Sequence, residues 1–245
     1  MKVKSLQDIA LMQEGGKILA SIVKEIEGKV VPGVTTKELD KFAESLFQKY
    51  GKPSFKGYNG FPGSICTSVN EEIVHGVPSN RVIVSGDILS IDAGLFYKGF
   101  HTDMATTVAV GNIDSEVNRL IRATKKALKR GIKKLRPGIT VGDVGNTIER
   151  YVDSQGFCVV EGLCGHGIGR KLHEAPDILN FGSRNKGEVL PEGLVICIEP
   201  MLSMGGSAID YCDNQITIKT SDNSISAHFE HTIAITSNGC RVLTE

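Results

Sequence analysis

PGVTTKELDKFAESLFQKYG (residues 32–51) and PGITVGDVGNTIERYVDSQG (residues 137–156) carry one pattern at a constant offset of 105 residues. Each opens with Pro-Gly-aliphatic-Thr, runs through a helical spacing and stops at glycine. Thr35-x-x-Glu38 is a capping-box signature, and Leu39, Phe42, Ala43, Leu46 and Phe47 fall on one face behind it, with Gly51 as the C-terminal cap. A long amphipathic helix precedes each copy. The first spans residues 6–28, where Leu6, Ile9, Met12, Ile18, Leu19, Ile22, Val23 and Ile26 recur at helical spacing; the second spans roughly 115–134. Two Pro-Gly helix starts can resemble each other by chance, but here the offset holds at both ends of each copy. A single period of this length is no solenoid. It points to two related halves, each with two helices and some strands, about a pseudo-two-fold axis.

Strand signals fill the rest. Residues 82–84, 88–91, 105–110, 194–198, 215–219 and 232–236 are β-branched or alternating, and Gly94, Gly99 and the Asn223 region read as turns between antiparallel strands. No flexible linker or low-complexity tract interrupts them, so residues 1–245 are expected to form one α+β domain. Lys+Arg and Asp+Glu both number 28, so no global field points to nucleic acid or to an acidic membrane. The basic run Lys125–Lys134 reads as the solvated face of a helix. Six scattered cysteines without a CxxC pair suit reduced thiols. No secretory h-region follows Lys2 and Lys4, and no stretch approaches the ~20 apolar residues of a membrane span. A cytoplasmic location is expected.

The acids lie in unusual places. Asp92 follows Ile88-Leu89-Ser90-Ile91, Glu199 follows Leu194-Val195-Ile196-Cys197-Ile198, and Glu230 precedes His231-Thr232-Ile233-Ala234-Ile235. Acids are depleted in strands, and burying one without a partner is very costly. The strands hold few basic residues, so metal is the better partner. Asp103 stands eleven residues after Asp92, across a turn at Tyr97-Lys98-Gly99; alone, this pair reads equally as two surface acids near a turn. His166 sits among glycines in Gly165-His166-Gly167-Ile168-Gly169, which allows close backbone approach. His173 alone reads as a packed or surface residue, and His75 as a loop histidine. Taken together, Asp92, Asp103, His166, Glu199 and Glu230 offer four carboxylates and one imidazole. That set suits divalent Mn, Co, Fe or Mg, and Zn less exclusively.

The chain resembles the type I methionine aminopeptidases, metallopeptidases with the creatinase-like pita-bread fold: two pseudo-symmetric halves around a curved antiparallel sheet. The likeness rests on Ser68-Val69-Asn70-Glu71-Glu72-Ile73-Val74-His75-Gly76-Val77-Pro78, on Asp92-Ala93-Gly94 with Asp103, on residues 165–176, on Ile198-Glu199-Pro200-Met201 and on His228-Phe229-Glu230-His231-Thr232. These five ordered blocks span essentially the whole chain. The resemblance implies two divalent ions (Co, Mn, Fe, Zn or Ni): Asp92 and Asp103 on one, Asp103, His166, Glu199 and Glu230 on the other, with Asp103 and Glu230 bridging. It implies that a bridging water or hydroxide attacks the carbonyl of the first residue while Glu199 shuttles the proton. His173 would hydrogen-bond the oxyanion, His75 would contact the scissile amide or the second residue, and the free α-amine would face the metal and Asp92. Phe55, Tyr58, Phe61, Cys66 and Leu172 would surround the methionine side chain.

Two departures stand out. The family often carries Gly-Trp on the strand before Glu230, whereas this chain has Gln215-Ile216 and no Trp, so Ile216 would replace an aromatic wall. His101-Thr102 stands where a Gly is more usual beside the Asp; His101 reads as a surface loop residue or as an extra polar group near the metals. The 33 positions from His166 to Glu199 leave no room for the large insert of type II enzymes. The implied activity is removal of the initiator methionine from nascent chains with a small second residue, by a monomer in transient contact with ribosomes and without a specific nucleic-acid or membrane partner. An X-Pro aminopeptidase or prolidase would share the ligand set but usually adds an N-terminal domain. A non-catalytic protein- or RNA-binding relative would tend to lose ligands, and all five are present here.

Overall fold

The Thr35 and Thr140 hydroxyls each accept the backbone N–H three residues on, and Glu38 and Asp143 reach back to the threonine amides. These reciprocal bonds satisfy donors that a helix start leaves free, so both copies begin at the same point of the pattern. The computed structural model describes residues 1–245. It places α1 at Leu6–Glu27, α2 at Thr36–Phe47, α3 at Ser115–Lys134 and α4 at Val141–Ser154. The expected inward face of α1 is buried except for Ile18, which is half-buried, and Leu6, which at 84 % exposure projects from the first turn into solvent. In each half the capping threonine also forms one antiparallel bridge, Thr35 to Val82 and Thr140 to Val189. Val82 lies ten residues before Asp92, and Val189 ten before Glu199. One construction thus delivers an acid from each half.

The halves stop their second helix differently. Gly156 takes a φ of +74° just after the C-cap Gln155, the left-handed stop that glycine favours. Gly51 is no such cap, because α2 already ends at Phe47. A Cβ on Gly51 would stand 2.6 Å from the Phe96 carbonyl oxygen, so its smallness serves close packing.

Strands Ile88–Tyr97 and Phe100–Ala109 form a long hairpin over the Lys98-Gly99 turn, whose residues both take positive φ (48° and 88°). Gly94 is not a turn: it lies inside the strand opposite Asp103, where a Cβ would meet Ser54 Cβ at 2.8 Å. Lys52–Pro53 and Cys66–Val69 complete this sheet on the other edge of Ile88–Tyr97. A five-stranded antiparallel sheet serves the second half, in the order Gly239–Val242, His231–Thr236, Val195–Ile198, Gly165–Gly167, Glu174–Ile178. Residues 82–84 form no strand; Val82 makes its single bridge, and Ile83 exchanges backbone bonds with Gly33 and Val34. The strand read at 215–219 starts only at Ile218. The Asn214 side chain accepts the Ile216 and Thr217 amides and folds residues 214–217 into a turn, with Gln215 at φ +56°.

One cluster of buried apolar side chains packs α1 and α2 on the first sheet, and a larger one packs α3 and α4 on the second. The sheets meet along a seam between residues 103–107 and 228–232. Ala105 and Glu230 exchange backbone hydrogen bonds of 3.4 and 2.9 Å. On one side the Thr232 hydroxyl accepts from the Asp103 amide and donates to its carbonyl, both at 2.8 Å. On the other the Thr107 hydroxyl does the same for His228, at 2.9 and 2.8 Å. Two threonine side chains therefore act as rungs that continue a one-rung ladder.

Thr107→Val keeps the shape and removes a rung, leaving the buried His228 amide and carbonyl without that partner. A loss of about 1–3 kcal/mol in urea unfolding is expected; a change below about 0.5 kcal/mol would show that the hydroxyl carries no weight.

Candidate metal centre and substrate cavity

Register brings the acids together. Asp92 pairs with Cys66 on one side and Ala105 on the other, while Asp103 faces Gly94. Asp92 and Asp103 are thus diagonal neighbours on one face of the hairpin. The Ala105 rung at the seam brings Glu230 beside them, and one oxygen from each of Asp92, Asp103 and Glu230 lies within 4.8 Å of the others. Glu199 ends the Val195–Ile198 strand, and its carbonyl is held by Asn180 Nδ2 at 3.0 Å. His166 Nε2 stands 3.7 Å from Glu199 Oε1. His166 Nδ1 lies 2.9 Å from the Gly167 carbonyl, to which only an Nδ1–H can donate. The Nε2 lone pair is then free to face the acids. Gly165 and Gly167 are needed on either side: a Cβ on either would collide with neighbouring backbone.

Asp103 and Glu230 are buried and Asp92 and Glu199 nearly so. Burial, little relieved by contacts with His228, Asp103 and Cys66, pushes Asp92 up to about 6. Burial and then mutual repulsion push Asp103, Glu199 and Glu230 well above the carboxylate range. Burial, with His173 second, holds His166 down to about 4, so it is a neutral donor at neutral pH. Asp92 Oδ1, Asp103 Oδ1 and Glu230 Oε1 are buried without a hydrogen-bond partner. No Lys or Arg lines the cavity above them. Orphaned carboxylate oxygens beside a neutral imidazole fit hard or borderline divalent cations. Cys197 also comes near His166 and Glu230, but burial, then the Glu230 and Asp103 charges, keep its thiol protonated.

The acids form the floor of a cavity of about 600 Å³. Phe55, Tyr58, Phe61, Cys66, Leu172 and Ile216 line it, as do His75 and His173. Ile216 packs on the apolar cluster of Phe55, Phe61, Cys66 and Leu172, from the 214–217 turn rather than from a strand. His173 Nδ1 lies 2.8 Å from the Tyr58 hydroxyl, and its ring meets the His166 ring edge-on at 4.2 Å. His75 takes φ +57° at the mouth. Though the residue is exposed, burial against the surrounding wall, then His228 and His173, hold its ring down to about 4. His101 is not a surface loop residue. It lies half-buried in the Phe100–Ala109 strand, with Nδ1 2.9 Å from Ser54 Oγ and its ring on Phe96.

Sequence reasoning gave no role to His228. It is buried, both ring nitrogens lack hydrogen-bond partners, and Nε2 lies 3.5 Å from Glu199 Oε2. The signal was present as His228-x-Glu230, a spacing that puts both side chains on one face of an extended chain. Met201 and Leu163 also line the cavity without having been singled out.

The description "Metallopeptidase family M24" matches residues 10–237. The chain belongs to metallopeptidase family M24. A methionine aminopeptidase of Clostridium perfringens is 45% identical over 99% of this chain and 98% of its own length. The crystal structure of methionine aminopeptidase from Thermotoga maritima superposes with a TM-score of 0.98 at 41% identity, over 100% and 99% of the two chains. An Xaa-Pro dipeptidase from Bacillus anthracis, 24% identical with a TM-score of 0.81, covers 99% of this chain and 62% of its own, and shares the fold. The two-halved α+β architecture read from the repeat, and the pita-bread fold that the resemblance implied, are thus the M24 fold. M24 membership also implies divalent metal, in keeping with the orphaned oxygens on the cavity floor.

Because Glu230 holds its proton more tightly folded than unfolded, it weakens the metal-free fold. That penalty is absent below its unfolded value and grows as the pH rises above it. In EDTA, Glu230→Gln is expected to raise stability by about 1–3 kcal/mol at pH 8 and by less at pH 5, while calorimetric Mn²⁺ affinity falls. Equal destabilisation at both pH values would contradict this electrostatic account.

Proposed function

We propose that this metallopeptidase is a methionine aminopeptidase that removes the N-terminal methionine of chains with a small second residue. The carrying observation is the floor of mutually repelling buried carboxyls, beside a neutral imidazole, under an apolar cavity without Lys or Arg. In this reading Asp92 and Asp103 hold one divalent ion. Asp103, His166, Glu199 and Glu230 would hold a second. The ions, of Co, Mn, Fe, Zn or Ni type, supply Lewis acidity and a water of lowered pKa when bound. Glu199, beside His166 and His228, takes the proton of the attacking water on a carboxylate oxygen and passes it to the departing amine. Tyr58 donates to His173 Nδ1, which leaves Nε2–H to donate to the carbonyl oxygen as charge develops there. His75 at the mouth contacts the scissile amide or the second residue. Phe55, Phe61, Cys66, Leu172 and Ile216 exclude water around an unbranched thioether. With Ile216 where an aromatic is usual, the wall is less confining, which broadens the range of accepted first residues.

The free α-amine would face Asp92, which makes the reaction exopeptidic. The natural substrates would be nascent chains leaving the ribosome, met in the cytoplasm by a monomer. No helix is long and apolar enough to cross a membrane.

Metal-stripped protein should release free Met from Met-Ala-Ser only after Mn²⁺ or Co²⁺ is restored. Glu199→Ala should lower kcat by at least about 10³-fold, near the upper range for a proton shuttle. Cleavage of an X-Pro peptide with no release of Met, or no cleavage by folded, metal-loaded protein, would overturn this assignment.

A further inference from the structure

Leu172 and His173 enter the cavity from one short connection, residues 168–173, between the Gly165–Gly167 and Glu174–Ile178 strands. Such a segment has little regular structure of its own, so its position depends on what holds it. The Gly169 carbonyl accepts the His101 amide at 2.7 Å at one end. At the other end the fixing group comes from far away in the sequence. Lys4 Nζ lies 2.7 Å from Glu174 Oε2, with side-chain exposures of only 5% and 9%. Its other carboxylate oxygen, Oε1, accepts the Lys171 amide at 3.2 Å. Glu174 therefore closes the turn that carries Leu172 and His173, and Lys4 holds Glu174.

Lys4 is itself fixed. Its amide donates to the Gly193 carbonyl at 2.7 Å, and its ammonium also donates to the Lys2 carbonyl at 2.9 Å. Its stem crosses directly over Gly169, where any Cβ would collide with Lys4 Cε. Burial pushes Glu174 up, but the Lys4 ammonium and the Lys171 and Arg170 amides outweigh it, so the carboxyl stays charged. The neighbouring Arg170–Asp8 contact, at 4.0 Å and largely in solvent, adds little. The metal floor contains no part of this device.

We propose that Lys4 is a positioning residue: through its buried ion pair with Glu174, the segment before α1 sets the loop that presents Leu172 and His173 to the substrate. This rests on the role proposed above for His173. A displacement of about 1 Å at a group that stabilises developing charge can cost up to about 10²-fold in rate. The Tyr58 hydrogen bond retains part of the ring's orientation, so losing Lys4 costs less than losing His173.

The test is steady-state hydrolysis of Met-Ala-Ser at saturating Mn²⁺ by the full chain and by Lys4→Met, Lys4→Arg, Lys4→Met/Glu174→Gln and His173→Ala, with thermal unfolding of each. Lys4→Met alone strands a buried carboxylate and can lower the folded fraction. The double variant removes both charges and keeps the volume, so it reports positioning apart from folding. Lys4→Met and the double variant are expected to lose about tenfold in kcat per folded molecule, with KM changed less than about threefold. Lys4→Arg should recover to within about threefold, and His173→Ala should lose about 10²–10³-fold. A folded double variant with wild-type kcat, or a fall in rate that merely follows the folded fraction, overturns the inference while leaving His173 in place. Full activity in His173→Ala would instead remove the role assigned to His173.

Discussion

The burial of four carboxyls side by side at the floor of one cavity is the constraint on which the rest of the structure depends. No cation of the chain answers it: the cavity lining holds neither Lys nor Arg. Without metal, burial raises all four acids above their usual range, and like charge adds to it at Asp103, Glu199 and Glu230, so the fold carries a local penalty at neutral pH. The surrounding frame has to hold those groups in place against it. It does so with apolar strands on both sides, and with glycines where His166 must approach neighbouring backbone.

The frame is built twice. Each half runs from a capping threonine through a single bridge to an acid ten residues beyond, and the threonine hydroxyls of the seam then lock the halves together. Their reciprocal bonds mean that a backbone shift at Asp103 is felt at Thr232, and one at His228 is felt at Thr107. The donors of the floor are therefore set by main-chain register more than by side-chain rotamers, which gives them the rigidity a metal site requires. The cavity above is less regular. Its walls come mostly from turns and loops, as at Leu172 and Ile216, with Cys66 supplied by a strand.

What could be read from the sequence follows this division. Capping boxes are local chemistry, so α1, α2 and α4 start close to where their spacing placed them. Acids beside apolar runs were conspicuous because burial without a partner is so unfavourable, and all five candidate donors line one cavity, although Asp92 lies inside the Ile88–Tyr97 strand rather than at its end. Features set by distant contacts were not legible. Gly94 resembles a turn residue, and only the strand opposite and Ser54 show that it is a packing glycine. Gly51 resembles a cap until Phe96 lies against it. His101 resembles a loop residue, yet Ser54 and Phe96 hold it in a strand. His228 went unassigned because a histidine beside a known motif attracts no separate notice until both of its nitrogens prove to be buried and unpartnered.

The seam has a kinetic consequence. Asp103 and Thr232, whose contact closes the floor, stand 129 positions apart in the chain. Closing so long a loop has an entropic cost that local helices and the Lys98-Gly99 hairpin do not share, and such contacts form late. Each half can gather its helices on its own sheet before the two are joined. The hairpin alone brings Asp92 and Asp103 together, but the donor cluster is complete only where the two halves are joined.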